Sequence, residues 1–284
     1  QQGELSIVSA WDGSRLSAIA PLVRRGTTLT FMGSTDLVDY HDFLVSSQEA
    51  EFLFPVLLEY LGSIPWTVLD LESIPETSPT LRYLPDVARS LGYDVTLAKE
   101  DVSPGLSLPS SWEEYLGMLS KKDRHELRRK LRRLQAEDGV EVSIKRDVAD
   151  TSMAVVELLR LMRLSQEEKV VFLTPPRETF FQTMSMGMAE LGILSLFILE
   201  LKGQPVSAAL CLDYNGRRFL YNSGYDPGFS SLSVGLLLKA LSVKDSIEKG
   251  MTYFDFLRGA EGYKYHLGGR DTDLYRLVIQ RPQL

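Results

Sequence analysis

Three stretches hold residue types whose spacing can do chemistry. Gly259-Ala260-Glu261-Gly262-Tyr263-Lys264-Tyr265-His266-Leu267-Gly268 gathers an ammonium, two phenols, a carboxylate and an imidazole between glycines, directly after the strand-like MTYFDFL (251–257). Alternation along that strand puts Phe254 and Phe256 on one face and Tyr253, Asp255 and Leu257 on the other. Asp255 therefore faces either a cleft or a structural hydrogen-bond partner. Arg258, past the strand end, suits a carboxylate or phosphate bidentately, or pairs with Glu261. Lys264 faces a ligand or forms a surface salt bridge. Upstream, Asp39-Tyr40-His41-Asp42 sets an imidazole among carboxylates, the make-up of a general base near neutral pH or of an ordinary polar turn. Between the two, Asp226-Pro227-Gly228 breaks the chain before Ser231-Leu232-Ser233, which can cap a helix running to about Lys249 and stopped by Gly250. Backbone N–H groups from Ser231, Leu232, Ser233, Val234 and Gly235 would then meet an anion such as a phosphate at the positive end of the helix dipole. A helix start capped by its own serines is the alternative reading.

The elements that must hold these groups can be read around them. LSLFILEL (194–201) and PVSAALCL (205–212) are joined by Lys202-Gly203-Gln204, a hairpin signal, and Asn215-Gly216 turns the chain into RRFLYNS (217–223). The N-terminal part repeats the order. Asp12-Gly13 joins two strands (5–11 and 14–22), TLTFMG (28–33) follows, and FLVS (43–46) precedes a helix from about Gln48 to Leu61. Then comes WTVLDLESI (66–74), with Asp70 standing where Asp255 stands later. Gly13-Ser14-Arg15-Leu16-Ser17-Ala18 matches Gly203-Gln204-Pro205-Val206-Ser207-Ala208, so an internal duplication is expected. The division is a first lobe over 1–108, a basic linking helix over 109–138 and a second lobe over 139–284. The second lobe opens with an extra strand (140–146) and two helices (149–169 and 176–191) that the first lacks, so the first lobe is expected to be truncated at its N-terminus or naturally incomplete.

In the linking segment, Ser110 to Glu114 offers a capping box, followed by a helix to about Gln135. Leu116, Leu119, Leu127, Leu131 and Leu134 form a buried stripe, and lysines and arginines crowd the remaining faces. That density suits a solvated or inter-domain face, an anionic ligand, or nucleic-acid phosphates. With 31 Lys and Arg against 38 Asp and Glu, and a net charge of −7, general nucleic-acid binding is disfavoured. One cysteine, Cys211, excludes an intrachain disulfide, and three separated histidines give no zinc pattern. No apolar run is long enough to span a bilayer, and a cytoplasmic protein is expected.

Three meandering strands, a helix launched from a Gly/Ser loop and a following strand resemble the acyl-CoA half of the GNAT acyltransferase fold. The resemblance extends to tandem-GNAT proteins of the FemABX type, and within them to CelD-like acyltransferases. It is carried by Trp112, Tyr115, Leu119 and Ser120, by the basic K-K-x-R-x-x-L-R-R run (121–129), and most specifically by FDFLRGAEGYKYHLG (254–268). The GNAT phosphate loop usually reads Q/R-x-x-G-x-G/A; this chain has Gly228 and Gly235 with serines between.

The resemblance implies an α/β (α+β) protein of two GNAT-like lobes with mixed, mainly antiparallel sheets. It implies acyl-CoA wedged between the strands flanking the central helix, with Tyr225 near the thioester, and an N-acyltransferase acting by direct attack without a metal. Lys264 would stabilise the acyl carbonyl, Tyr263 would protonate the leaving sulfur, and Asp39-Tyr40-His41-Asp42 with Arg258 would serve the acceptor, at the meeting of the lobes. That acceptor is an amine of a small molecule or of an envelope or polysaccharide precursor. Aminoacyl-tRNA as donor, and a non-catalytic scaffold in polysaccharide or envelope assembly, are the alternatives.

Overall fold

Period-two apolar runs punctuated by Asp-Gly, Lys-Gly and Asn-Gly turns give way to longer runs with helical spacing, and the chain folds accordingly. The structure is a computed structural model and describes residues 3–46 and 48–282. In chain order, β1 (Glu4–Asp12), β2 (Arg15–Arg25), β3 (Thr28–Phe31) and β4 (Leu44–Val45) lead to α1 (Ala50–Gly62), β5 (Val68–Pro75), α2 (Pro79–Ser90) and β6 (Asp94–Ser107). There follow α3 (Trp112–Met118), α4 (Lys121–Gln135), β7 (Val140–Lys145), α5 (Val148–Ser165), α6 (Glu167–Phe172) and α7 (Pro175–Glu190). Next come β8 (Leu194–Leu201), β9 (Gln204–Tyr214), β10 (Arg217–Tyr225) and a 3-10 helix (Pro227–Leu232). The chain closes with α8 (Val234–Glu248), β11 (Tyr253–Asp255), α9 (Gly262–His266) and β12 (Arg270–Gln280). Among the described residues no helix is long and apolar enough to cross a membrane.

The chain forms two compact units, Gln1–Ser103 with Asp271–Leu284, and Pro104–Arg270. In the first, strands run β1-β2-β3-β5-β12-β6, with β4 beside β2. The β3–β5 pair is parallel, whereas β1–β2, β2–β3 and β12–β5 are antiparallel. Leu22, Leu29, Phe54, Leu58, Leu69, Leu277 and Ile279 meet in its core. The alternating stretch over 270–280 was not expected as a strand; Leu277, opposite Leu71, and Ile279, opposite Leu69, bury one of its faces.

In the second unit β7, β8, β9, β10 and β11 lie side by side, and β11 pairs antiparallel with the end of β6, Phe254 opposite Leu106. Here β10–β11 is the parallel pair. Its core joins Leu199, Ala209, Cys211, Leu237, Val243 and Phe254 with Leu127 and Leu134 of α4. Cys211 is a core residue, its thiol pushed up to about 12 by burial. Arg218, fully buried, donates from Nε and Nη2 to Asp213 at 2.6 and 2.7 Å and from Nη1 to Asp245 at 2.8 Å.

These units divide the chain differently from the contiguous lobes expected over 1–108 and 139–284, because β12 pairs with β5 and the basic helix buries its leucines in the second unit. The single helix expected up to Gln135 is two. Leu119 is extended (ψ 151°), and Ser120 starts α4 by accepting the Asp123 N–H at 3.1 Å. The helix expected over 149–169 likewise breaks at Gln166, whose φ of −160° is extended.

Candidate active site

The parallel pairing of β10 with β11 sets the geometry. Their registered pairs are Arg217 with Tyr253, Arg218 with Phe254 and Phe219 with Asp255. Beyond these, β10 runs on to Tyr225, while the other chain keeps to β6, Phe256 N–H donating to Pro104 O at 2.9 Å. A gap therefore opens between the far half of β10 and the chain after Asp255. Within that half the β9–β10 register shifts between Leu220 and Asn222, a bulge of the sort that re-aims side chains beside active sites.

At the mouth of the gap stands the start of α8. Ser231 and Leu232, expected as its first residues, belong instead to the preceding 3-10 helix, and Ser233 sits in the left-handed region (φ 57°) with no capping bond from its side chain. Its own N–H is spent on Ser230 O at 2.9 Å. The α-helical ladder opens with Leu237 N–H to Ser233 O at 3.0 Å, so the N–H groups of Val234, Gly235 and Leu236 are the helix-start donors that the ladder does not use. The Tyr225 ring lies so close to Gly235 that a Cβ there would fall 2.9 Å from its Cδ1. Tyr225 is thus brought against Gly235, next to the Val234 amide in the chain.

The 257–268 segment, which follows β11, is held by Lys264. This lysine is 1% exposed, and its Nζ donates to the carbonyls of Leu257 and Arg258 at 2.7 Å and of Gly259 at 2.9 Å, with Glu261 Oε2 at 2.9 Å. Neither a surface salt bridge nor a free stabilising ammonium describes it: its donors are engaged in holding the bend where Leu257 takes φ 61°. Asp255, buried, accepts the Leu257 N–H at 2.9 Å, which is the structural reading of that residue. The carbonyl of Arg258 is one of the Lys264 acceptors. Tyr263 opens the short helix α9; burial, and then the Glu261 charge, hold its phenol well above its ordinary pKa, so it stays protonated.

Two lysines that sequence reasoning passed over join this site. Lys239, one turn beyond Gly235 on α8, is 8% exposed, donates to Gly235 O at 3.2 Å and stands 4.7 Å from the centre of the Tyr263 ring. Burial, then repulsion by Lys169, lowers it to about 7. Lys169, from α6, donates to Asn222 Oδ1 at 3.2 Å and to Ser223 O, and burial lowers it to about 8. The signal for Lys239 was present: one lysine in the apolar run Leu236-Leu237-Leu238-Lys239-Ala240.

The remaining candidates, Asp39, Tyr40, His41 and Asp42, fall in the first unit. His41 is no exposed loop imidazole: at 7% exposure it stacks on Phe31, ring centres 5.7 Å apart. Tyr40 shares a hydrogen bond with Ser103 at 2.5 Å. Asp42 accepts from Thr80 and from the Phe43 N–H at 2.9 Å, while burial raises its carboxyl above the usual range. Among the described residues no group of His, Cys, Asp or Glu is placed to hold a metal ion.

No curated protein matches the chain. Among solved structures it resembles FemX (TM-score 0.66, 12% identity, covering 96% of this chain and 88% of that one). It also resembles the C-terminal domain of a putative lysylphosphatidylglycerol synthetase from Agrobacterium fabrum (TM-score 0.63, 11% identity, 98% and 84% coverage). A third is a tandem GNAT protein from the clavulanic acid biosynthesis pathway (TM-score 0.51, 12% identity, 96% and 82% coverage). At these identities the likeness is one of fold. The acetyltransferase (GNAT) domain is matched in sequence over residues 121–265, a span that takes in the parted strands, the bare start of α8 and the Lys264 segment. With just over half of its length so matched, the chain belongs to the acetyltransferase (GNAT) domain family.

Proposed function

We propose that the protein is an acyl-CoA-dependent N-acyltransferase whose donor site is the gap between β10 and β11. The observation that carries this reading is the conjunction of the parted strands with a helix start lacking a side-chain cap. The pyrophosphate of CoA would lie on the N–H groups of Val234, Gly235 and Leu236, beside Tyr225, and its thioester arm would enter the gap. In the reaction an acceptor amine, having lost its proton, attacks the thioester carbonyl. The new C–N bond forms as the C–S bond breaks, Tyr263 gives its phenolic proton to the leaving sulfur, and the proton shed by the new amide nitrogen restores the phenol. Lys264 serves this chemistry by fixing the loop. The acceptor is an amine of a small molecule or of an envelope or polysaccharide precursor, in keeping with the CelD-like resemblance, and a cytoplasmic location fits a CoA thioester donor. Asp39, Tyr40, His41 and Asp42 remain the acceptor-contacting candidates by resemblance.

Aminoacyl-tRNA as donor is the second reading, favoured by the exposed Lys121, Lys122 and Arg132 of α4. Against it, neighbouring charges on that helix are matched locally: Arg128 meets Glu113 at 2.7 Å, Arg129 meets Glu126 at 2.7 Å, and Lys130 meets Glu126 at 3.5 Å. Thermal unfolding with acetyl-CoA and longer acyl-CoAs decides. Ligand at a hundred times its Kd should add about 2.7 kcal/mol. Stabilisation by charged tRNA alone would move the donor to the second reading, and no response to either would favour a non-catalytic scaffold.

A further inference from the structure

Where β10 leaves β11, side chains enter the gap from both faces of the sheet. Gly224 turns towards α5, so closely that a Cβ would lie 2.2 Å from Met162 N, whereas Tyr225 turns towards Gly235 of α8. From the α5 side comes Lys169, anchored at Asn222 and Ser223 of β10. From the α8 side comes Lys239, which makes a long bond to Gly235 O, 3.2 Å. The two ammonium groups repel each other, and Lys264 adds its charge from the segment after β11. The carboxylate acting on all of them is that of Glu261, which is engaged with Lys264 at 2.9 Å. Two buried lysines, Lys239 and Lys264, and the part-buried Lys169 are set against the Glu261 carboxylate, an excess of positive charge that is relieved if protons are shed or an anion enters.

We propose that Lys169 and Lys239 form a carboxylate-binding subsite in the gap between β10 and β11, so that one of the two substrates carries a carboxylate close to the reacting amide. This deepens the acyltransferase reading and rests on it for which molecule brings the carboxylate: the acyl chain of the donor, or the acceptor amine. A monocarboxylate has two oxygens for two ammonium groups arriving from opposite sides, and its single charge offsets the mutual repulsion. A general base would need only one of these lysines, and the second would then add cost without use. The empty site relieves itself by proton loss, since Lys239 lies at about 7 and Lys169 at about 8. The other groups facing Lys239 do not supply the missing charge: Tyr263 and Cys211 are held protonated by burial, and Lys264 is cationic. Entry of a carboxylate should therefore draw protons onto the site at neutral and mildly alkaline pH.

The test uses the full chain and three probes. Succinyl-CoA is compared with butyryl-CoA, glycine with glycinamide in the presence of CoA, and sodium succinate is titrated while the lysine side-chain carbons are followed by NMR. One of the two pairs should favour its carboxylate member by about ten-fold or more, with proton uptake on binding. That preference should collapse in both Lys239→Met and Lys169→Met and survive in Lys239→Arg; circular dichroism confirms that each variant folds. Succinate should move a lysine titration upwards. The proposal is overturned if neither pair discriminates and succinate moves no titration, if the preference persists in both Met variants, or if inorganic phosphate outcompetes succinate. Binding of acetyl-CoA without carboxylate discrimination removes this inference and leaves the acyltransferase reading. Absence of all CoA binding removes that reading, while the succinate titration still reports on the subsite.

Discussion

The two units build the same strand–helix–strand step and finish it differently. In the first, β3 and β5 share parallel pairs from Thr28 with Val68 to Thr30 with Asp70, and β3 ends one residue later at Phe31. In the second, β10 continues from its last pair at Phe219 to Tyr225, so the strands part. The helices differ to match. At α1 the cap is Glu49 and the first turn carries Glu51, carboxylates that would repel a phosphate, whereas α8 has no acid in its first turn. On its buried face α1 carries Ala50, Phe54, Leu58 and Leu61, while α8 includes Lys239. Asp70 and Asp255, equivalent in sequence, have also diverged: Asp70 takes a bidentate ion pair from Arg276 at 2.7 and 2.6 Å, and Asp255 supports the bend at Leu257. A repeated fold thus does not repeat a site. The length of one strand past its last pair, and the charge at one helix start, are what distinguish the unit proposed to take an acyl-CoA from its counterpart.

The sharpest way to break this contrast is at Lys264; at the bend of the first unit the Ser73 N–H is held by the Glu100 carboxylate at 2.8 Å. Lys264→Met keeps the stem but leaves the carbonyls of Leu257, Arg258 and Gly259 without their donor. A loss of about 2–4 kcal/mol is expected, read as a lower urea midpoint, with acetyl-CoA binding falling in parallel. Unchanged stability with reduced turnover would return Lys264 to the role of carbonyl stabiliser.

How much of this was legible beforehand follows from where the information lies. Hairpins and the strand–helix–strand order are written locally, in Asp12-Gly13, Lys202-Gly203 and Asn215-Gly216, and these turns fall where expected. Tyr225 and Gly235 were placed together because the helix start itself fixes them. The strand β12 escapes a sequence reading because its neighbours in the sheet, β5 and β6, lie far back in the chain, and that placement gives its alternation a buried face. The sequence leaves His41 as a general-base candidate or part of an ordinary polar turn, since nothing in Asp39-Tyr40-His41-Asp42 announces that its ring will stack on Phe31. The Lys264 clamp and the Lys169–Lys239 meeting depend on backbone carbonyls and on a hole in a sheet, neither of which leaves a mark in side-chain spacing.

A second test sharpens the difference between the buried faces of α1 and α8. An unfolded lysine holds its proton to near 10.5, whereas Lys239 releases it at about 7. Between those values the unfolded chain binds more protons, so wild-type stability should rise with pH across that window; below about 7 the penalty of burying the charge is present in full. Lys239→Met removes the titrating group and makes α8 as apolar there as α1. The variant should be more stable than wild type at pH 6 by roughly 1–3 kcal/mol and show a flatter rise towards pH 10, measured by urea unfolding at several pH values. Parallel curves for the two proteins would mean that Lys239 does not carry the shift.

The smallest effect is expected at His41, and there the comparison can be broken from the other side. If the donor site belongs to the second unit alone, His41→Gln should leave the affinity for acetyl-CoA within about two-fold of wild type, because the ring packs on Phe31 in the first unit and the proposed pyrophosphate donors are amides of α8. Gln is close to His in volume and keeps a donor and an acceptor, so the expected stability change is below about 1 kcal/mol. Isothermal titration with acetyl-CoA, alongside a thermal scan of the unliganded variant, reads both quantities. A ten-fold weakening of donor binding without loss of stability would show that the first unit takes part in holding CoA, and the division of labour drawn from strand length and helix charge would have to be abandoned.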